Sequence, residues 1–203
     1  EEDQAQDERE MAEAYFVEGK ELMSETVAVL PENLKADPLQ HSELTKMLTQ
    51  ALREWCDADC AFMNAGMILK GLKRGNVTKF DLLEICPHPI NPCTIRMSGA
   101  ELKEVLLQTR DEKWPHLQIK GLGFRGTVMG VMEYDGIEFQ PKGNYTQILI
   151  NGKLIEAKGQ YTLAIPDMFT FGRFFPEIQR AEEKRYYLPE FLRHLLEWKL
   201  ASL

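Results

Sequence analysis

The chain has 203 residues, which suits one domain or one domain with an additional arm. Hydrophobic residues make up 44% of it and charged residues 28%, as in ordinary globular proteins. The formal net charge of -8 argues against a nucleic acid polymer as a partner, because an acidic surface repels phosphate backbones. No stretch approaches the ~20 consecutive apolar residues that cross a bilayer, so we expect no membrane partner.

Residues 1–20 are acidic and contain no glycine or proline before Gly19, which predicts a helix. So polar a helix usually bridges two domains or lies on a surface. We interpret residues 1–20 as an inter-domain linker helix and residues 21–203 as the domain proper. Because the chain starts with Glu1 inside this helix-like run, we expect an upstream domain in the same protein.

The first half of the domain shows alternating helix and strand patterns. A loosely alternating run predicts a strand at Ser24–Leu30, and apolar residues at helical spacing predict a helix at Ser42–Asp57. A strand at Cys60–Met63 follows and ends in a turn of small residues. Two further helices are predicted where capping boxes occur, one beginning after Thr78 and one after Ser98.

The second half of the domain contains mostly strand patterns. Thr127–Tyr134 is strand-like, and Asn151-Gly152 predicts a two-residue hairpin turn, because both turn positions need positive φ. Pro189 predicts the first residue of a final helix. The succession of elements predicts an α+β fold with mixed sheets and flanking helices.

The four cysteines, Cys56, Cys60, Cys86 and Cys93, form no Cys-x-x-Cys pair. A zinc site needs further ligands at matched spacing, and the sequence offers none. We therefore predict buried thiols in a reducing compartment, and with them a cytoplasmic location and no cofactor bound by this chain.

Two stretches that leave a strand and enter a tight loop are interpreted as walls of one pocket. In the first, Asn64-Ala65-Gly66, small residues would let a ligand approach the backbone, where free N–H groups could bind polar atoms. Asn64 offers a donor and an acceptor that suit the edge of a purine or pyrimidine. The alternative is an ordinary turn that ends a strand.

The second stretch, residues 165–176, follows a strand pattern at Tyr161–Ile165 and holds four phenylalanines. Aromatic faces in a loop can stack on a planar base. The alternative is a loop whose rings fold back into the core, which is the commoner fate of phenylalanine.

His88 lies in the proline-rich loop Pro87–Pro92, a rigid segment that could position a ligand contact. A lone histidine is more often a hydrogen-bonded structural residue than a catalyst. Cys86 and His88 are only two residues apart and have no evident orienting partner, so we reject a thiol nucleophile with a histidine base.

Seven short motifs follow one another at characteristic spacing: Ala58-Asp59, Asn64-Ala65-Gly66-Met67-Ile68-Leu69, Gly75-Asn76-Val77-Thr78-Lys79-Phe80-Asp81-Leu82, Pro87-His88, Met97-Ser98-Gly99-Ala100-Glu101-Leu102, Asn151-Gly152-Lys153-Leu154 and Tyr161-Thr162-Leu163-Ala164. In this order and spacing they resemble the C-terminal, substrate-binding domain of the 5'-nucleotidase family, from about Glu18 to Trp198.

The resemblance implies an α/β/β/α layering and a division of labour between two domains. An N-terminal metallophosphoesterase domain would carry a divalent metal pair, which activates water and stabilises the phosphoryl transition state. The present domain would hold the nucleoside, with its base between two aromatic rings, and would supply no catalytic group. The polar helix at residues 1–20 would join the two domains.

Residue by residue, the resemblance implies a set of substrate contacts. His88 stands where the family has its first clamp phenylalanine, and Phe169 or Phe171 could supply the second stacking face. Two positions depart from the family, since Leu69 replaces an arginine and Phe174 a ribose-binding aspartate. The predicted substrate-binding residues are Asn64, Ala65, Gly66, His88, Asn91, Met168, Phe169 and Phe171.

Two functional hypotheses follow. The first is the nucleoside- or nucleotide-recognition domain of a hydrolase, a 5'-nucleotidase-like phosphoesterase that cleaves phosphate esters of nucleotides. The second is a non-enzymatic interaction domain with a decayed pocket, which the apolar residues Leu69 and Phe174 favour. Filling of the pocket by Phe171 or Phe174 would support the second hypothesis, and an open aromatic cleft would count against it.

Overall fold

The structure, a computed structural model, describes residues 2–203, apart from the side chains of residues 2–5, 7, 8 and 10. The helices in this range are α1 (Glu2–Ser24), α2 (Glu43–Trp55), α3 (Lys79–Ile85), α4 (Gly99–Gln108), α5 (Pro176–Arg180) and α6 (Leu192–Leu200). The strands are β1 (Thr26–Leu30), β2 (Cys60–Asn64), β3 (Gly75–Thr78), β4 (Pro92–Ser98), β5 (Met132–Asp135), β6 (Ile137–Lys142), β7 (Tyr145–Ile150), β8 (Lys153–Leu154), β9 (Gln160–Pro166) and β10 (Glu183–Tyr186). Within residues 2–203, no helix combines the length and the apolar character that crossing a bilayer requires.

The strands form a central five-stranded sheet and two smaller sheets. The order in the central sheet is β10-β4-β9-β2-β5, where β2 and β9 are parallel and the other neighbours antiparallel. Strands β1 and β3 pair separately, and β6, β7 and β8 form a three-stranded meander. The predicted α+β class with mixed sheets is confirmed.

Helices cover both faces of the central sheet. Successive residues of a strand point to opposite faces, so Glu133 and Tyr134 of β5 mark the two sides. The Glu133 carboxylate accepts a hydrogen bond from Thr45 Oγ1 of α2 at 2.9 Å. On the other face, the Tyr134 hydroxyl lies 2.8 Å from Oγ1 of Thr109, the residue after α4. The buried core therefore extends on both sides of this sheet.

The capping boxes and the hairpin turn that the sequence predicts are present, and in each the partner residues are close in sequence. Thr78 and Asp81 exchange hydrogen bonds at the start of α3, and Ser98 and Glu101 do the same at the start of α4. In the turn between β7 and β8, φ is 49° at Asn151 and 76° at Gly152, the left-handed values that the prediction required. Capping boxes and this hairpin turn are thus confirmed.

Two predicted boundaries are wrong. Helix α6 begins at Leu192 rather than Pro189, because the Glu190 N–H closes a turn onto the Tyr187 carbonyl at 3.1 Å and the Leu192 N–H is bound by the distant Ile90 carbonyl at 3.0 Å. The strand predicted at Thr127–Tyr134 is confined to Met132–Asp135. Its earlier residues are held instead by the preceding chain, for example by a 2.8 Å bond from Met129 N–H to the Leu117 carbonyl.

The amino-terminal helix and the cysteines complete the fold. Helix α1 runs to Ser24, beyond the predicted limit of residue 20, and Glu1 lies outside the described residues. The inter-domain role of α1 stays a prediction. All four cysteines are buried and unpaired, as predicted.

Candidate functional site

The loops predicted as pocket walls meet at one end of the central sheet. Because β2 and β9 are parallel, the 3₁₀ turns that follow them, Ala65–Met67 and Asp167–Phe171, leave the sheet at the same edge. Strand β4 runs antiparallel to β9 with Pro92 opposite Pro166, so the proline-rich loop before β4 reaches this edge too. The ends of parallel strands at such an edge are a common place for ligands in α/β sheets.

A fourth segment at this edge is residues 117–131, here called the Gly-rich loop, which leads into β5. Its Met129 carbonyl accepts hydrogen bonds from Asn64 Nδ2 and from the Gly66 N–H, both at 2.9 Å. Its Val131 carbonyl accepts the Ala65 N–H at 2.8 Å. The expectation of free N–H groups in this turn is therefore wrong, because the Gly-rich loop binds them.

The turn after β2 permits a close approach of two backbones. A Cβ atom added at Gly66 would lie 2.2 Å from the Val128 carbonyl oxygen, so only glycine fits there. Asn64 and Ala65 are fully buried, and Gly66 is buried too. Among the described residues, however, Asn64 Oδ1 is a buried acceptor with no hydrogen-bond partner. Native proteins rarely leave such an atom unpaired, so a buried water molecule, or a ligand donor that reaches this depth, would be its partner.

His88 is buried with both ring nitrogens engaged by backbone groups. Nδ1 accepts the Arg125 N–H at 2.9 Å, so the ring proton lies on Nε2, which donates to the Met67 carbonyl at 3.0 Å. Burial lowers the pKa of His88 to about 4, against the opposing effect of the Met67 carbonyl, so the ring is neutral at pH 7. One face of the ring is covered by Phe124, whose centroid lies 5.0 Å away.

The second wall contains both buried and exposed aromatic rings. Met168 and Phe169 are fully buried, and the Phe169 ring packs against Phe62 and Phe175 at centroid distances of 5.5 and 5.4 Å. In this conformation Phe169 offers no face to a ligand. For this ring the structure matches the alternative prediction, in which the loop's aromatic rings fold back into the core. Phe171, by contrast, is 52% exposed.

Asn91 and Asp167 tie the proline-rich loop to the second wall. Asn91 Nδ2 donates to the Glu190 carbonyl at 2.6 Å, and the Asn91 carbonyl accepts the Asp167 N–H at 2.9 Å. Burial raises the pKa of Asp167 to about 6, although the N–H groups of Asn91 and Met168 favour the charged form. Sequence reasoning did not single out Asp167, and a carboxylate at the end of an apolar strand was the available signal.

Exposed cations border the site. Arg173 Nη1 donates to the Lys120 carbonyl at 3.0 Å and so joins the second wall to the Gly-rich loop. Arg125 is also exposed and lies next to His88 through its N–H. Within the described range, no three His, Cys, Asp or Glu residues are grouped as metal ligands. The resemblance places the divalent metal pair in the N-terminal domain and not among the residues of this one.

Several proteins of known structure have the same fold as this chain. The 5'-nucleotidase precursor of Thermus thermophilus superposes with a TM-score of 0.69 at 14% identity, over 96% of this chain and 40% of that chain. The NAD nucleotidase of Haemophilus influenzae superposes with a TM-score of 0.66 at 14% identity, over 96% and 37%. At these identities the likeness concerns the fold.

Sequence comparisons give the same family. A Bacillus subtilis (strain 168) protein named uncharacterized metallophosphoesterase YunD is 48% identical over 191 residues, which are 91% of this chain and 41% of the relative. The chain thus spans less than half the length of that relative. The family model of the 5'-nucleotidase C-terminal domain matches residues 25–173, well over half of the chain. The chain therefore belongs to the family of 5'-nucleotidase C-terminal domains.

Proposed function

We propose that this chain is the substrate-recognition domain of a longer 5'-nucleotidase-like phosphoesterase and that it holds the nucleoside part of a nucleotide ester. The observation that carries the proposal is the convergence of four loops at one end of the central sheet. Those loops present the half-exposed ring of Phe171 together with the exposed cations Arg125 and Arg173. A flat ring suits a nucleobase, and the cations suit a phosphate ester.

The predicted substrate-binding residues take different parts in this proposal. Phe171 stacks on the base, and Asn64 Oδ1 accepts a hydrogen bond from the ligand. Asn91 holds the proline-rich loop in place through its bond to Glu190. The remaining buried positions shape the walls, except for His88, whose ring face becomes available only when Phe124 leaves it. As substrate contacts, all eight residues stay predictions.

The proposal gives this chain no catalytic group. The upstream domain of the same protein would contain the divalent metal pair and hydrolyse the phosphate ester, and α1 would join it to the present domain. The name of the Bacillus subtilis relative, a metallophosphoesterase, supports this arrangement. A cytoplasmic location stays a prediction that the buried thiols support.

Calorimetric titration of the chain with nucleosides and nucleotides tests the proposal. Replacing Phe171 with alanine should weaken binding about 5- to 150-fold, because base stacking on one aromatic ring contributes ~1–3 kcal/mol. Phe80→Ala is the matched control, since Phe80 is 51% exposed but lies in the first turn of α3. Failure of every nucleoside and nucleotide to bind, or equal losses in the two variants, would refute the assignment.

The alternative function, an interaction domain with a decayed pocket, is favoured by one observation. The ring face of His88 is already covered, although by Phe124 and not by Phe171 or Phe174. Phe174 packs instead against Trp114 and Phe169, with centroid distances of 6.2 and 5.8 Å. Binding of a nucleoside would decide against this alternative.

A further inference from the structure

The rings of Phe124 and His88 form the one flat stack among the aromatic pairs of the described residues. Their planes are inclined by 5°, whereas the other pairs are inclined by 33° or more. Edge-to-face and offset stacks are both favourable between side chains, and a flat offset stack is also how a nucleobase lies on an aromatic residue. Phe124 therefore occupies the place on His88 that a planar ligand would take.

The space around the Phe124 ring has the form of a slot. Phe124 is only 5% exposed, and His88 at its floor is fixed by hydrogen bonds on both nitrogens. A Cβ atom at Gly126 would lie 2.6 Å from Phe124 Cζ and 3.1 Å from the Gly66 carbonyl oxygen. The side of the slot is thus bare backbone, which can approach a flat ring closely.

The tip of the Gly-rich loop, residues 120–125, is held differently from its base, residues 128–131. The base is held by the Met129 carbonyl, which binds Asn64 and Gly66. In the tip, three successive residues, 121–123, have φ between 56° and 86°. The tip reaches the body through the Phe124 ring, the partly buried Leu122, the close approach of Gly123 to Pro89, and two hydrogen bonds. In these bonds the Arg125 N–H donates to His88, and the Lys120 carbonyl accepts from the exposed Arg173 side chain. Releasing the tip breaks these contacts and leaves the base bonds to Asn64 and Gly66 intact.

We propose that Phe124 is a specificity-determining residue that covers the stacking face of His88 in the free domain and is displaced by a planar heteroaromatic ligand. The inference rests on the proposed function and names the ligand class of its site. The Phe124 ring competes with the ligand for the face of His88, so a ligand binds only if it stacks on His88 better than a phenyl ring does. Bicyclic bases, with their larger contact area, are favoured over small single rings.

The test compares adenosine binding to the unaltered chain, Phe124→Ala and Phe124→Leu by calorimetry. A closed state that opens to a minor population of ~0.1–10% reduces the apparent affinity by that fraction. Phe124→Ala should therefore bind adenosine about tenfold or more tightly, and Phe124→Leu should show a smaller gain, because leucine still occupies the slot but cannot stack flat on His88. Phe139→Ala removes a ring from β6, away from His88, and should leave the affinity unchanged.

Nuclear magnetic resonance of the unaltered chain separates this inference from the proposed function. Adenosine should abolish the nuclear Overhauser contacts between the rings of Phe124 and His88 and shift the His88 ring protons. If adenosine binds while those contacts persist and both variants keep the original affinity, the displacement of Phe124 is refuted and the proposed function stands. If adenosine binds to none of the folded chains, both proposals fall. Phe124→Leu keeps an apolar side chain in the slot, so it tests the inference even if Phe124→Ala does not fold.

Discussion

Replacing Asp167 with asparagine is expected to stabilise the domain at neutral pH. The Asp167 side chain is nearly buried, and burial raises its pKa from 3.8 to about 6. A carboxyl whose pKa is raised on folding stabilises the folded state fully below pH ~4, and that stability is lost as the pH rises through about 6. At 1.36 kcal/mol for each tenfold change in proton affinity, the loss above pH 7 is about 2–3 kcal/mol. Asparagine mimics the neutral acid and does not ionise, so the variant avoids the loss.

Urea unfolding of both proteins at a series of pH values from 4 to 8 measures this effect. The stability difference between Asp167→Asn and the unaltered chain should be near zero at pH 4 and reach about 2–3 kcal/mol above pH 7. Glu104→Gln, on the exposed face of α4, is the control and should show no such dependence. A difference that does not change with pH, or a variant that is less stable at pH 8, would refute the reasoning.

Three further outcomes are expected. Gly66→Ala should lower the free energy of unfolding by about 1–3 kcal/mol or more, because the added Cβ would lie 2.2 Å from a backbone oxygen; an unchanged urea midpoint would contradict this. Burial lowers the pKa of His88 from 6.5 to about 4. The contribution of the neutral ring to the free energy of unfolding is therefore present above pH ~6.5 and is lost as the pH falls through about 4. His88→Gln should therefore flatten the fall in melting temperature over that range, and an equally steep fall in the variant would count against it. The four thiols should not react with a thiol reagent at pH 8 until the protein unfolds, because they are buried and burial raises the pKa of three of them to about 12; native-state reaction at the rate of a free thiol would contradict this.

The sequence predicted those features whose partners are close along the chain. The Thr78 and Ser98 caps need partners three residues away, and the Asn151-Gly152 turn needs only two residues with positive φ. The start of α6 depends on distant chain, because the Leu192 N–H binds the Ile90 carbonyl about a hundred residues earlier. A proline rule alone could not predict that boundary.

The same distinction applies to the candidate site. The sequence predicted which loops form the walls of the site, and the parallel pairing of β2 and β9 brings those loops to one edge of the sheet. The state of His88 could not be predicted, because Met67 and Arg125, whose backbone groups hold its ring, lie 21 and 37 residues away. Phe124 was overlooked because a glycine-rich segment gives no periodic signal that a ring inside it is buried.

Two buried polar groups of the site bear on whether its pocket has decayed. A buried polar atom that finds neither a protein nor a water partner costs about 1–3 kcal/mol, and Asn64 Oδ1 has no protein partner among the described residues. The buried carboxyl of Asp167 adds the loss of stability near neutral pH that its raised pKa entails. The Asn64 Nδ2 group holds the Gly-rich loop through the Met129 carbonyl, but no protein group among the described residues uses Asn64 Oδ1. In a binding pocket, a ligand donor that reaches Asn64 Oδ1 recovers the first penalty on binding. The unpaired acceptor at the end of β2 therefore favours a pocket that still binds a ligand carrying a hydrogen-bond donor.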